Sequence, residues 1–578
     1  MRFHALATDY DGTIAHDGAV DEATIAALER AKKSGRKLIL VTGRELADLL
    51  VIFPRLDLFE RAVIENGAVI FDPQTKETRF LAEAPPPAFA ELLHRRGVKP
   101  LSVGNVIVAT FEPHQNTVLT AIQELGLELQ VIFNKGAVMV LPSGVNKATG
   151  LAAALAELGL SPHNTVGVGD AENDHAFMRV CECSAAVANA LPAVKDTADI
   201  VTRGKRGAGV AEFIDRLIAN DLSDLKTLER HRIPVGSTEG GDEFHLDPAG
   251  GNVLVCGTSG SGKSTLTTAM LERLADAGYQ SLIVDPEGDY TNLEFAHILG
   301  NPQQAPRHED VTSALRDPKR SVVVNLLGVP LAERPKFFSG LLPSILEVKA
   351  RTGRPHWLVL DEAHHMLAAG PESAAMAPLL PDRGTLLITV HAGAVEPTVL
   401  KDVETLFVIG GQPTKTASAF WKATGERELS CPTVTGDKLP PGYALAWRRG
   451  NADAVIIHTK LPRTERKRHS RKYAEGNLGA DRSFYFRGPE GKLNLKASNL
   501  FLFLQLADGV DDETWDFHRE NGDYSSWARE QIKDQSLADE LVEVEKQAAT
   551  PKVTRAAMRA AIESRYTLPA DAASGSME

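Results

Sequence analysis

Two aspartates, Asp9 and Asp11 in LATDYDGT, stand where a short apolar run breaks into a glycine turn. In an open α/β sheet, ligands bind in the crevice at the carboxyl ends of the strands. Two carboxylates placed there repel one another unless a cation lies between them or one carries a proton. Three further strings repeat the same context, an apolar run followed by a polar group. LILVTGR offers Thr42, VNKATGL offers Lys147 at a helix start, and VGVGDAENDHAF offers Asp170 and Asp174.

In this order the four motifs resemble those of the haloacid dehalogenase superfamily of phosphatases, in its Cof-type and sucrose-phosphate-phosphatase-like branch. The resemblance spans about Met1–Ala219 and includes SAAVANALPAVKDTADIVT. It implies Asp9 as the nucleophile that becomes an aspartyl phosphate. Asp11 is implied as the general acid and then the base that activates water. Thr42, Gly43, Lys147 and Asn173 are implied phosphate ligands. Mg²⁺ is implied on Asp9, the Asp11 backbone carbonyl and Asp170, with Asp174 in support.

A second phosphate chemistry follows in NVLVCGTSGSGKSTLTTAM, a strand, a Gly-rich loop and a helix in the order of a Walker A motif. Gly257, Thr258, Ser259, Gly260, Ser261 and Gly262 form a loop whose N–H groups cradle phosphates. Lys263 reaches the β- and γ-phosphates, Ser264 supplies an Mg²⁺ ligand, and Thr265 completes the nucleotide-binding run. HWLVLDEAHHML ends an apolar strand in Asp361, suited to holding Mg²⁺, and Glu362, suited to polarising the attacking water. With SLIVDPEGDY, these strings resemble the HerA/FtsK group of ring ATPases over about Arg230–Lys460. In GTLLITVHAGAV the candidate sensor is Thr389 or His391, where the family often carries Gln. Arg383 is the candidate arginine finger, which a ring neighbour must supply.

The elements that must carry these residues follow from periodicity. Short apolar runs alternating with amphipathic stretches, as in TIAALERAKKSG then KLILVTGR, predict a parallel sheet flanked by helices. The expected fold is α/β: a Rossmannoid core at 1–84 and 144–220, interrupted by an α+β cap at 85–143. A RecA/HerA-like P-loop domain at 226–460, a basic linker at 461–480, a small α+β domain at 481–568 and a disordered tail at 569–578 complete it. The polar run Gly236–Gly251 marks a boundary or a hairpin. In the last domain Trp515, His518, Asp523, Tyr524 and Trp527 form one pattern, whose aromatics read as core rather than ligand platform and whose His518 reads as a hydrogen-bonded structural histidine.

Lys and Arg number 63 against 76 Asp and Glu, a net charge of −13, which excludes a wholly basic nucleic-acid binder but not a local patch such as Arg463–Lys472. Four cysteines argue for a reducing cytoplasm, and the CxC pair Cys181/Cys183 reads as two apolar thiols rather than a metal site. No run reaches membrane-spanning length. The expected function is a bifunctional Mg²⁺-dependent phosphomonoesterase and ring-forming, hexameric ATPase using ATP, associated with DNA or phage defence. Two alternatives stand beside it: a polynucleotide kinase/phosphatase-like end-processing enzyme, and a small-metabolite phosphatase with a regulatory, scaffold-forming ATPase. Asp361–Glu362 and DPEGDY argue against the first of these.

Overall fold

The computed structural model describes residues 1–225, 228–258, 260–426, 431–432, 437–463, 478, 482–532 and 534–563. Ser259, most of the basic run and the C-terminal tail therefore lie outside the described residues. The chain forms two compact units, Met1–Arg463 and Thr464–Glu578.

The first unit opens with an eight-stranded sheet. Its order is Ile200–Val201, Cys183–Ala186, Thr165–Gly169, Ala5–Thr8, Lys37–Val41, Arg61–Ile64, Val69–Phe71 and Thr78–Phe80. The first six strands run parallel, and the last two are added by successive antiparallel pairings. These strands read as unbroken apolar runs because both faces are covered. Thr8 pairs with Val168 on one side and Leu40 on the other, so Asp9 leaves the sheet between the strand ends that lead to Asp170 and Thr42. Helix Lys147–Glu157 packs against strands Lys37–Val41 and Arg61–Ile64. Asn146 caps it, accepting from the Ala148 and Thr149 N–H groups. Gly150 allows the close approach, since a Cβ there would stand 2.7 Å from the Gly67 backbone.

Between the core strands sits a four-stranded antiparallel sheet in the order Ser102–Val103, Val108–Phe111, Ala137–Pro142, Leu129–Asn134. Helices Pro87–Arg95 and Gln115–Glu124 pack on it around Phe89, Leu93, Val118 and Val140. This is the α+β cap expected from the two helical patterns in that segment.

An eleven-stranded sheet follows. It runs Glu243–Leu246, Ile233–Ser237, Val455–Thr459, Tyr443–Arg448, Val403–Ile409, Asn252–Gly257, Thr385–Thr389, Trp357–Leu360, Ser281–Asp285, Ser321–Asn325, Ala296–Leu299. The seven strands from Val403–Ile409 onward are parallel, and the first four are antiparallel. The polar run at Gly236–Gly251 resolves as a hairpin, with strands Ile233–Ser237 and Glu243–Leu246 extending this sheet.

The two sheets meet at a buried polar seam. Glu182 of the first receives Arg2 Nη2 (2.5 Å), His163 Nδ1 (2.7 Å) and the Tyr279 hydroxyl (2.8 Å). His163 stacks on Tyr279 and donates through Nε2 to Ala277 O at 2.6 Å, just past the end of helix Lys263–Asp276. His356 donates to Asn164 Oδ1, and Arg354 to Gly159 O. Burial pushes the Glu182 carboxyl up, but the His163 hydrogen bond and the charge of Arg2 outweigh it and hold the group well below the usual carboxylate range.

The second unit is a small α+β body: a hairpin, Phe484–Phe486 with Leu495–Ala497, and helices including Leu500–Gly509, Asp512–Glu520 and Gln535–Glu545. Trp515, Tyr524 and Trp527 lie in its core, as their spacing suggested. His518 is structural: Nδ1 faces Asp523 at 2.6 Å and Nε2 accepts the Arg487 N–H.

Candidate active sites

At the carboxyl end of the first sheet, Lys147 lies between two acids. Its Nζ donates to Asp9 Oδ1 and to Asp174 Oδ1, both at 2.6 Å, and the side chain is 1% exposed. Asp174 Oδ2 accepts the N–H groups of Asp170 and Ala171 at 2.8 and 2.9 Å. Both Asp174 oxygens are thus engaged, and the residue orients Lys147 and the Asp170 backbone. The Thr13 hydroxyl lies 3.2 Å from Asp9 Oδ2 and 3.3 Å from Asp170 Oδ1, bridging nucleophile candidate and metal-ligand candidate.

Oxygens of Asp9, Asp170 and Asp174 all lie within 4.8 Å of one another. Three carboxylates less the Lys147 and Lys135 ammoniums leave one negative charge; with Lys135 withdrawn two remain, which one divalent cation balances. Burial first, and then Asp174, push the Asp9 carboxyl up to about 7, against the pull of Lys147. Burial raises Asp170 as well. Gly12 keeps the cradle open, because a Cβ there would stand 2.4 Å from Asp170 Oδ2. The donor set therefore fits Mg²⁺, the cofactor of this class of hydrolase.

The Asp11 carboxylate points elsewhere. Arg44 holds it bidentately, Nε to Oδ2 at 2.6 Å and Nη2 to Oδ1 at 2.7 Å, and also pairs with Asp48. Thr42 is buried, its carbonyl accepting the Asn66 N–H and its hydroxyl the Arg44 N–H. Gly43 faces the cap: a Cβ there would meet Met139 Sδ at 3.6 Å and Asn173 Nδ2 at 3.9 Å. Asn173 itself donates to Asn66 Oδ1. Sequence reasoning passed over Thr13, Arg44, Asn189 and Lys135. Thr13, Arg44 and Asn189, which donates to Gly12 O, stand inside the quoted strings DGT, TGR and SAAVANALPAVKDTADIVT, whereas the cap residue Lys135 carries no motif.

Cys181 and Cys183 are buried free thiols. Burial pushes Cys181 up to about 12, which suits packing and not metal ligation.

The second site sits at the end of strand Asn252–Gly257, in the middle of the larger sheet. Gly260 and Gly262 hold φ of +75° and +105°, which turn the loop back on itself. A Cβ at Gly257 would strike Ile409 O at 2.1 Å. Lys263 opens the helix, buried, with Nζ 3.0 Å from Gly257 O. Ser264 is buried on the first turn beside it, and Thr265 follows. Asp361 and Glu362 follow strand Trp357–Leu360 and are 1% and 7% exposed. Glu362 adopts φ +44°, a conformation that costs a non-glycine residue about 1–3 kcal/mol. Backbone that closes round phosphates, a buried lysine and a buried acid pair together fit ATP with Mg²⁺.

Thr389 and His391 separate clearly. His391 is exposed. Thr389 is buried and its Oγ1 lies 3.1 Å from His364 Nδ1, which is 3.4 Å from Glu362 Oε2. His364, missed in the sequence, thus connects strand Thr385–Thr389 to the candidate base. Arg383 is exposed and precedes strand Thr385–Thr389, at the end of the sheet away from the P-loop. The fold does not bring it to the nucleotide site of its own chain. Asp285 accepts the N–H groups of Asp289 and Tyr290, so it closes the DPEGDY turn.

The haloacid dehalogenase-like hydrolase family matches residues 6–96 and 101–214, and the central domain of the helicase HerA matches residues 251–332. A phosphoglycolate phosphatase 2 of Saccharolobus solfataricus is 28% identical over 38% of this chain and 93% of its own length. A phosphoglycolate phosphatase of Methanothermobacter thermautotrophicus is 29% identical over 37% of this chain and 98% of its own. A solved haloacid dehalogenase-like hydrolase from Bacteroides thetaiotaomicron is 19% identical with a TM-score of 0.33, covering 37% of this chain and 99% of that one. Among the described residues no helix is long and apolar enough to cross a membrane. The chain carries a haloacid dehalogenase-type phosphatase domain followed by a HerA-type ATPase domain, a fusion of the two.

Proposed function

We propose that the chain is bifunctional: a phosphomonoesterase of small phosphorylated carboxylic acids, joined to an ATPase that assembles as a ring. The observation that carries the first half is the Asp9–Lys147–Asp174 ladder at the strand end, beneath the cap. Asp9 attacks phosphorus and forms an aspartyl phosphate, while Lys147 and Thr42 hold the phosphoryl oxygens. Asp11 leaves Arg44, takes up a proton from solvent, gives it to the departing alkoxide and, now a carboxylate, takes a proton from the water that hydrolyses the aspartyl phosphate. Asp9, the Asp11 carbonyl and Asp170 would hold Mg²⁺, which when bound would offset the repulsion between nucleophile and phosphate. The substrate class is supported by the names of the relatives and by a cap that touches the floor of the site through Met139 and Lys135. Duplex ends suit such a roof poorly.

For the second half, Glu362 polarises water at the γ-phosphate and Thr389, through His364, holds it in place. Arg383 serves a neighbouring subunit, which requires a ring, proposed as a hexamer; DNA is its proposed track. Four free cysteines support a reducing, cytoplasmic setting. The test is hydrolysis of 2-phosphoglycolate by the full chain and by Asp9→Asn, together with native mass in the presence of ATP. Wild-type turnover lost by at least ~10³-fold in Asp9→Asn supports the phosphatase reading. A monomer under all conditions contradicts the ring.

A further inference from the structure

The cap hairpin joining Leu129–Asn134 to Ala137–Pro142 ends in a two-residue turn, Lys135–Gly136, with φ of +48° and +84°. Positive φ at both positions is the mark of a type I′ turn, which fits the twist of a tight hairpin. Asn134 pairs with Ala137, and the Glu112 N–H donates to Gly136 O at 3.0 Å, so the tip is held from two sides. From it Lys135 reaches the floor of the phosphatase site. Its Nζ lies 2.8 Å from Asp170 Oδ2 and 3.4 Å from Asp11 O. Gly12 makes the room, since a Cβ there would come within 2.9 Å of the ammonium.

The Asp170 carboxylate and the Asp11 carbonyl are the ligands assigned above to the divalent cation. A second cation within a few ångströms is strongly repelled, so the ammonium and the metal cannot share them. A metal on Asp170 must release Lys135, whose turn keeps it over the mouth of the site. Other nearby cations keep partners: Lys147 has Asp9 and Asp174, and Arg44 retains Asp48 when Asp11 leaves it. Lys135 pairs only with Asp170 among the described residues. Once released it is a cation in need of an anion, on the cap side of the site.

We infer that Lys135 is the specificity-determining residue of the phosphatase. It competes with the divalent cation for Asp170 and the Asp11 carbonyl and, when displaced, holds the carboxylate of the substrate. This deepens the proposed phosphatase reading and rests on it. It also makes metal loading and cap engagement one event: the cation that prepares Asp9 frees the lysine that reads the substrate.

The test compares the full chain with Lys135→Met, which keeps side-chain length and turn geometry, and with Lys135→Arg, which keeps the charge. Calorimetric titration with Mg²⁺ in the absence of substrate is the first arm. Met is expected to bind Mg²⁺ about tenfold tighter than wild type, and Arg to stay near wild type. The second arm is the ratio of kcat/KM for 2-phosphoglycolate to that for 2-hydroxyethyl phosphate, which has the same length and no carboxylate. Loss of a charge-assisted hydrogen bond predicts a fall of roughly tenfold or more in that ratio for Met, restored in Arg. Unchanged Mg²⁺ affinity in Met overturns the competition. A wild-type ratio near one, or a ratio that Met leaves unaltered, overturns the carboxylate role, while turnover of p-nitrophenyl phosphate shows that the phosphatase reading itself survives. Absence of turnover on every ester defeats that reading instead, and the Mg²⁺ titration still decides whether Lys135 competes.

Discussion

Replacing Glu182 with Gln keeps the shape of the seam and removes its charge. Three donors converge on that carboxylate, from Arg2, His163 and Tyr279. A carboxamide presents one accepting oxygen, and its NH₂ faces at least one of the donors. Hydrogen bonds to charged groups are worth about 1.5–3 kcal/mol against about 1 for neutral ones, and a buried donor left without a partner costs about 1–3. Arg2 is 27% exposed and recovers part of its loss in water, which sets the expected cost at about 2–4 kcal/mol. Unfolding of a multidomain chain is not two-state, so amide hydrogen exchange, which reads local opening, is the suitable assay. Peptides covering 159–165 and 277–282 should exchange between one and three orders of magnitude faster in Glu182→Gln, since ~1.4 kcal/mol is tenfold. Cap peptides within 85–143 should be unaffected. The sign with pH also follows. A carboxyl held below its ordinary 4.5 stabilises the fold fully above that value and loses the contribution as pH falls. The wild-type seam should therefore loosen in acid, and the variant should not loosen further. Equal protection of the seam peptides in both proteins at pH 7 would refute the view that Glu182 clamps the two sheets.

Three further outcomes are expected. Asp9 is raised to about 7, so Mg²⁺ must displace a proton below that pH; the fluorescence- or calorimetry-derived affinity should fall as pH drops from 8 to 6 and level off above it. Glu362→Gln should retain ATP binding by a fluorescent analogue while steady-state hydrolysis falls by about 10²-fold or more, and undiminished turnover would remove Glu362 from the role of base. Thr389→Val keeps the buried shape and removes the hydroxyl next to His364; kcat for ATP should drop by roughly tenfold with KM little changed, whereas His391→Ala should alter neither.

Much of the two sites was legible because the motifs are local. A strand, a turn and one or two polar residues suffice to recognise DYDGT or GSGKST, and the α/β rule then places them at strand ends. The cap was legible as two helical patterns within a different strand rhythm. What stayed hidden depends on contacts distant in sequence. Lys135 lies 35 residues from Asp170, and no spacing links a hairpin tip to a cradle beneath it. His364 was visible beside Glu362, but its link to Thr389 exists only once strands Trp357–Leu360 and Thr385–Thr389 pair. Arg383 illustrates the converse: its place before a strand was read correctly, yet that end of the strand faces away from the P-loop. The seam at Glu182 joins four segments, from Arg2, Pro162–Asn164, Glu182 and Ala277–Tyr279, and left no pattern in any one of them.

The central claim is that one polypeptide houses two separate phosphate chemistries. It is tested most directly by assaying the full chain, Asp9→Asn and Lys263→Ala side by side for phosphate ester hydrolysis and for ATP hydrolysis. Asp9→Asn should lose the ester activity by at least ~10³-fold and keep its ATPase rate within about twofold, and Lys263→Ala should show the reverse. Loss of both activities in either variant, with each protein folded, would contradict two independent sites.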